Sequence, residues 1–325
     1  MRAGERPANP ASTDWPARLH VVTGKGGSGK TSVAAALALA LAAGGRRTLL
    51  VEVEGRQGIA QLFDTDPLPY EERRIAGTTG GGEVRALAVD PEEALLEYLD
   101  MFYRLGAAGR ALRKFGAIDF ATTIAPGLRD ILLTGKVKEA TTRTANQRRV
   151  YDAVVLDAPP TGRIGRFLNV TAEAARLAKV GPIKTQSEGV AALLRSPMTA
   201  VHVVTLLEEM PVQETIDAIG ELTQLNIPVG RIIVNSTRSP LLTGKVTQAE
   251  LRRGLAAAGL PTDRATVTGL HSEVKDQLTR HALEESLRTD LAELGRPLIE
   301  LPLLPEGVDR TSLEMLADRL RQTDC

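Results

Sequence analysis

Gly24-Lys25-Gly26-Gly27-Ser28-Gly29-Lys30-Thr31 fits the spacing G-x-x-x-x-G-K-[ST]. Its flanks fit as well. Arg18–Thr23 (RLHVVT) reads as a short strand, and Lys30–Ala43 reads as a helix rich in Ala and Leu, ended by Gly44-Gly45. Glycines let the backbone curl so that successive N–H groups face one anion. The helix N-terminus adds favourable dipole charge. Lys30 can reach the β- and γ-phosphates of a nucleotide, and the Thr31 hydroxyl can ligate Mg2+. The candidate nucleotide-binding run is therefore Gly24 to Thr31, with Ser32 next to it.

Strand and helix signals alternate along the rest of the chain. Thr48–Val53, Glu83–Val89, Tyr151–Asp157, Thr199–Leu206, Gly230–Asn235 and Leu298–Leu301 read as strands. Val212–Leu225, 272–294 and Ser312–Gln322 read as helices, and Pro91–Ala140 is mostly helical with breaks at Gly106, Gly116 and Pro126-Gly127. Asp64–Gly82, with its prolines and Gly80-Gly81-Gly82, reads as loop. The pattern predicts an α/β fold: a mostly parallel sheet with helices on both faces. Residues 1–17, with Pro7, Pro10 and Pro16, read as a disordered tail, and 18–325 as a single domain. Insertions near 92–140 and 164–196 are poorer in strand signal and would form a helical subdomain.

Composition narrows the function. The 325 residues carry 40 Lys+Arg and 40 Asp+Glu, a net charge of +0, so no excess positive charge exists to displace counterions from nucleic acid. The one cysteine, Cys325, can make neither an internal disulfide nor a Cys-rich zinc site, and a reducing, cytoplasmic setting is expected. Val33–Ala43, the longest apolar run, falls short of the roughly 20 residues that span a bilayer. The final helix sets Leu313, Leu316 and Leu320 on one face, but its charges (Glu314, Asp318, Arg319, Arg321) are mixed. That composition makes a poor membrane anchor.

The second lysine of the loop carries a resemblance. KGGSGKT is similar to the deviant phosphate loop of the MinD/ParA/ArsA group of ATPases. The resemblance implies that Lys25 reaches across a dimer interface to the partner's nucleotide and stabilises transition-state charge there. Asp157 ends a buried strand, where the acid on the Mg2+ side sits in such folds. The run from Asp157 to Gly162 resembles the ArsA switch II pattern D-T-A-P-T-G-H, matching at Asp157, Pro160, Thr161 and Gly162 and departing at Ala158, Pro159 and Arg163. By that resemblance Asp157 holds Mg2+ through water and the Gly162 N–H senses the γ-phosphate. Glu54 stands where the family has an aspartate that orients the attacking water. Glu52 is the next acid in line. No N-K-x-D guanine motif follows the strand that ends at Asn235. In the ArsA family an Asn there contacts adenine, and Pro302 and Leu303 resemble a second adenine-side loop.

The similarity covers most of 18–322. VEVEGRQGIAQLF, EYLDMFYRLG, ATTIAPGLRD and DAPPTGRI resemble an actinobacterial branch of ArsA-like ATPases that is similar to the tail-anchored-protein targeting ATPase. The branch occurs as paired paralogues. A homodimer, or a heterodimer with a paralogous ArsA-like ATPase, is implied. So are ATP and Mg2+ as ligands, and a protein or membrane-protein client moved by nucleotide-driven opening and closing. Arsenite sensing through cysteine thiolates is excluded by composition, and the dimer-bridging Cys-x-x-Cys is missing. Leu95, Leu96, Leu99, Met101 and Phe102 could line a groove for a hydrophobic client, or equally pack on the chain's own sheet. Two alternatives stand beside the hydrolysing dimer: a non-hydrolysing regulatory subunit of a heterodimeric ATPase, and a MinD/ParA-like ATPase that patterns on a surface.

Overall fold

The glycine-rich loop joins β1 (Leu19–Gly24) to α1 (Lys30–Ala42), as its flanks predict. The computed structural model describes residues 15–103, 126–170, 181–240 and 244–322. The described chain continues through β2 (Arg47–Glu52), α2 (Gly58–Leu62), β3 (Arg73–Gly77), β4 (Glu83–Ala88), α3 (Pro91–Tyr103) and α4 (Pro126–Thr142). A small hairpin, β5 (Thr144–Ala145) and β6 (Arg148–Arg149), leads to β7 (Ala153–Asp157). Then come α5 (Thr161–Leu168), α6 (Pro182–Leu194), β8 (Thr199–Thr205), α7 (Glu209–Gln224) and β9 (Val229–Thr237). The last elements are α8 (Gln248–Ala257), α9 (Arg264–Glu293), β10 (Leu298–Pro302) and α10 (Arg310–Arg321).

The main sheet runs β10-β9-β8-β1-β7-β2-β4-β3, parallel except for β3, which pairs antiparallel with β4. Parallel strands need both faces covered. One face carries α3, α4, α5 and α6 over a core that includes Leu49, Leu87, Leu95, Ile131, Leu156 and Val190. The other carries α1 and α10. Because α1 lies between the sheet and α10, it is buried on nearly every side, which explains its run of Ala and Leu. Leu313, Leu316 and Leu320 of α10 are buried in this layer, so its apolar face is spent inside the fold. Leu95 is buried, and Leu96 and Leu99 pack on the first core, so these three serve packing. The side chains of Met101 and Phe102 lie outside the described residues.

Three expectations need correction. Asp64–Gly82 is not all loop. It contains the edge strand β3, whose outer residues Arg73 and Arg74 are exposed while Ile75 and Ala76 are buried. Charge on an edge strand blocks pairing with other chains and masks the apolar alternation by which strands are read. The helix expected at 272–294 begins earlier, at Arg264, where the Asp263 carboxylate accepts the Thr266 N–H at 3.0 Å. Of the tail expected at 1–17, residues 1–14 lie outside the described residues, whereas Trp15 and Ala17 are buried and Trp15 Nε1 donates to the Leu320 carbonyl at 3.2 Å.

Register brings the ends of the central strands together. Val22 and Glu52 both lie level with Asp157, and Gly24 lies level with Val204. The phosphate loop, Glu52 and Asp157 therefore share the carboxyl edge of the sheet, where open α/β folds bind ligands.

Candidate active site

Close approach explains two glycines of the loop. A Cβ on Gly24 would overlap the Val204 carbonyl of the neighbouring strand, and one on Gly29 would overlap the Asn235 amide. Gly29 also has φ 86°, where an L side chain is strained. Gly26 and Gly27 face open space. Gly29 caps α1 with no side-chain hydrogen bond, and the first turn of α1 has no acid, so its positive end faces the loop unneutralised. Ser28 is buried and its Oγ has no protein partner, an orphaned donor inside the cradle. Lys30 is buried at the start of α1, and Ser32 follows Thr31 in its first turn.

On the metal side the Thr31 hydroxyl donates to Asp157 Oδ2 at 2.7 Å. Asp157 is buried, and its other oxygen, Oδ1, has no protein partner. Burial pushes the carboxyl up to about 6 despite the Thr31 hydrogen bond and the Lys30 charge, and the charges of Glu52 and Glu54 push the same way. A bound cation would remove that cost. One hydroxyl and one carboxylate with an orphaned oxygen make the sparse ligand set of Mg2+, which keeps several waters, so these residues fit the ion.

The two candidate acids have separate surroundings. Glu52 is buried and its carboxylate accepts the Gln57 N–H at 2.5 Å and the Ile59 N–H at 3.3 Å. It shapes the turn that follows β2. Glu54 is half-buried at the mouth, with its oxygens 3.9 Å from Arg56 and 4.0 Å from Arg163. Of the two, Glu54 is the one whose oxygens accept no backbone hydrogen bond among those observed.

Lys25 reaches out of the loop to Glu214 on α7, Nζ to Oε1 2.9 Å. Glu214 Oε2 also accepts the Thr161 hydroxyl at 2.8 Å. Gly162 sits in the first turn of α5, where N–H groups lack intrahelical acceptors. Glu214 was not singled out by its sequence context. The run PVQET was recognisable, but only the packing of α7 against α5 shows what its acid touches.

On the far side of the loop, Asn235 Nδ2 donates to the Ser28 carbonyl at 2.9 Å. Asn235 thereby props the phosphate loop and also lines a cleft of about 530 Å3 with Gly27, Leu206, Leu207, Thr237 and Arg280. Pro302 and Leu303 do not line this cleft. The Leu303 N–H donates to the Thr237 carbonyl at 2.8 Å, and Pro302 lines a neighbouring cleft beside Met315.

A parallel sheet whose carboxyl edge holds this cradle and this acid defines an α/β ATPase of the phosphate-loop type. The family model described as anion-transporting ATPase (ArsA) matches residues 17–197, more than half of the chain, and the chain belongs to that family. ATPase BagA of Mycobacterium tuberculosis is 54% identical over 327 residues, 96% of each chain. ATPase GET3 of Kluyveromyces lactis is 26% identical over 249 residues, 66% of this chain and 70% of its own. The arsenical pump-driving ATPase of Escherichia coli is 26% identical over 324 residues, 89% of this chain and 54% of its own. The chain is an ATPase, and its family implies that it binds nucleotide. No helix among the described residues is long and apolar enough to cross a membrane.

Proposed function

We propose that this ATPase works in the cytoplasm as a dimer, with itself or with a paralogous ArsA-like chain, and that ATP and Mg2+ close two subunits face to face. The supporting observation is the position of Lys25. Its side chain is about a third exposed and turned to Glu214 on α7 rather than folded into its own cradle, so that once released it could reach a nucleotide opposite. Lys30 and the N–H groups of Gly26 to Thr31 hold the triphosphate. Thr31 and Asp157 would hold the metal. The bound ion would neutralise charge that develops on the transferred phosphoryl group. Glu54 positions or deprotonates the attacking water, and the Gly162 N–H registers the γ-phosphate. The 530 Å3 cleft takes the adenine, with Asn235 as its polar contact and Pro302 and Leu303 on an adjoining loop.

Hydrolysis reopens the pair, and the helices on the α3–α6 face convert that movement into work on a hydrophobic protein client. A cavity of about 330 Å3 lies between α3, α4 and α6, where Ala94, Tyr98 and Leu132 share the lining with the charged Glu97, Lys136 and Glu139. Neither nucleic acid nor a stable membrane anchor has a place in this reading. The test is ATP turnover by the chain alone and mixed with its paralogue. Turnover should depend on Lys30 and vanish in Lys30→Ala, and a dimer should form in ATP and Mg2+. A chain that stays monomeric in both preparations while hydrolysing ATP would overturn the dimer. A pull-down with a hydrolysis-blocked variant then names the client.

A further inference from the structure

Glu214 joins two parts of the site through one carboxylate. Oε1 lies 2.9 Å from the Lys25 ammonium, and Oε2 accepts from the Thr161 hydroxyl at 2.8 Å. Thr161 is buried and opens α5, the helix that follows Asp157. The Lys25 hydrogen bond, with help from Thr161, holds the Glu214 carboxyl below the usual range, so it is ionised at neutral pH. A carboxylate and a triphosphate compete for the same ammonium charge. While Lys25 sits on Glu214, it is withheld from a nucleotide in either subunit.

We propose that Glu214 is a positioning residue, a resting clamp that parks Lys25 on α7 until nucleotide claims it. Release of Lys25 also leaves Thr161 as the one partner of the Glu214 carboxylate among the described residues, so capture of nucleotide is felt at the start of α5. The inference rests on Lys25 being a nucleotide ligand, the reading given above.

The clamp is modest, because both side chains are about a third exposed and water screens the pair. An affinity that depends on a free Lys25 is reduced by the fraction that is free. For an exposed ion pair that fraction makes a difference of roughly two- to six-fold.

Calorimetric titration with ATP and Mg2+, together with steady-state kinetics, tests the clamp in Glu214→Gln, Glu214→Asp, Lys25→Ala and the double variant Lys25→Ala/Glu214→Gln. Glu214→Gln should lower Kd and KM for ATP by roughly two- to six-fold with kcat unchanged. Glu214→Asp, which keeps the charge, should stay near the parent. The gain should shrink as salt is raised and be missing when Lys25 is already Ala. An unchanged or weaker affinity in Glu214→Gln would overturn the clamp, as would an equal gain in the Lys25→Ala background. If Lys25→Ala alone left affinity and turnover untouched, the role of Lys25 itself would fall, and the clamp with it. Impairment by Lys25→Ala without tightening by Glu214→Gln would remove only the clamp.

Discussion

Acid should weaken this fold through a pair of histidines far from any chemistry. His20 on β1 and His202 on β8 are wholly buried, with His20 Nδ1 3.1 Å from His202 Nε2 and the rings stacked at 5.3 Å. Trp15 stands edge-on to both rings at 5.8 and 5.0 Å, and the Arg231 guanidinium lies 4.6 Å over Trp15. The Arg231 N–H donates to His202 Nδ1 at 3.0 Å, which requires that nitrogen to be unprotonated. Burial is the main reason both imidazoles titrate low, and the charges of Arg231 and, for His20, Arg46 act in the same direction. His20 moves from 6.5 to about 4. The unfolded chain therefore takes up a proton near pH 6.5 that the folded chain refuses until about pH 4. The stability tied to His20 is present above pH 6.5 and is lost as pH falls toward 4. At pH 5 the loss is about 2 kcal/mol, with His202 adding in the same direction. For a chain of 325 residues that lowers Tm by roughly 3 °C. Thermal melts at pH 7 and pH 5 should be compared for the parent and the double variant His20→Asn/His202→Asn, whose pH-dependent loss should be smaller by about that amount. Equal losses in the two proteins would refute the reasoning.

Gly29→Ala should destabilise the chain by about 1–3 kcal/mol, because it forces an L residue into a left-handed conformation and against the Asn235 amide. ATP binding should weaken in the same variant, and an unchanged melting curve would contradict the packing described. Glu54→Gln should cut turnover by about 100-fold or more with little change in ATP affinity. Turnover that survived in a mixed dimer would instead assign hydrolysis to the partner chain.

Much of the fold is legible in the sequence because its signals are local. The strand–loop–helix at Gly24–Thr31 carries its own spacing, and the run YDAVVLD is apolar enough to mark a central strand that ends in an acid. Signals that depend on distant partners were harder to read. The edge strand β3 hides behind Arg73 and Arg74. Trp15 looks like part of a proline-rich tail until α10 offers it the Leu320 carbonyl. The same distinction holds in the site. Lys30, Thr31 and Asp157 follow from motif and strand end, and Thr31 does donate to Asp157. The engagement of Asn235 by the loop carbonyl and the bridge of Glu214 between Lys25 and Thr161 arise from tertiary packing, which a linear pattern does not carry. Glu52 and Glu54 are near neighbours of the same charge. Only the turn after β2 separates them, giving the first to backbone N–H groups and leaving the second at the mouth.

The central claim is that the curled loop at the end of β1 grips a triphosphate through Lys30, with Thr31 and Asp157 on the metal side. Calorimetry of ATP with Mg2+ against the parent, Lys30→Ala and Asp157→Asn tests it most directly. Saturable heat in the parent, its loss in Lys30→Ala and a reduced dependence on Mg2+ in Asp157→Asn are the expected results. No heat of binding in the parent, with or without its paralogue, would contradict the account.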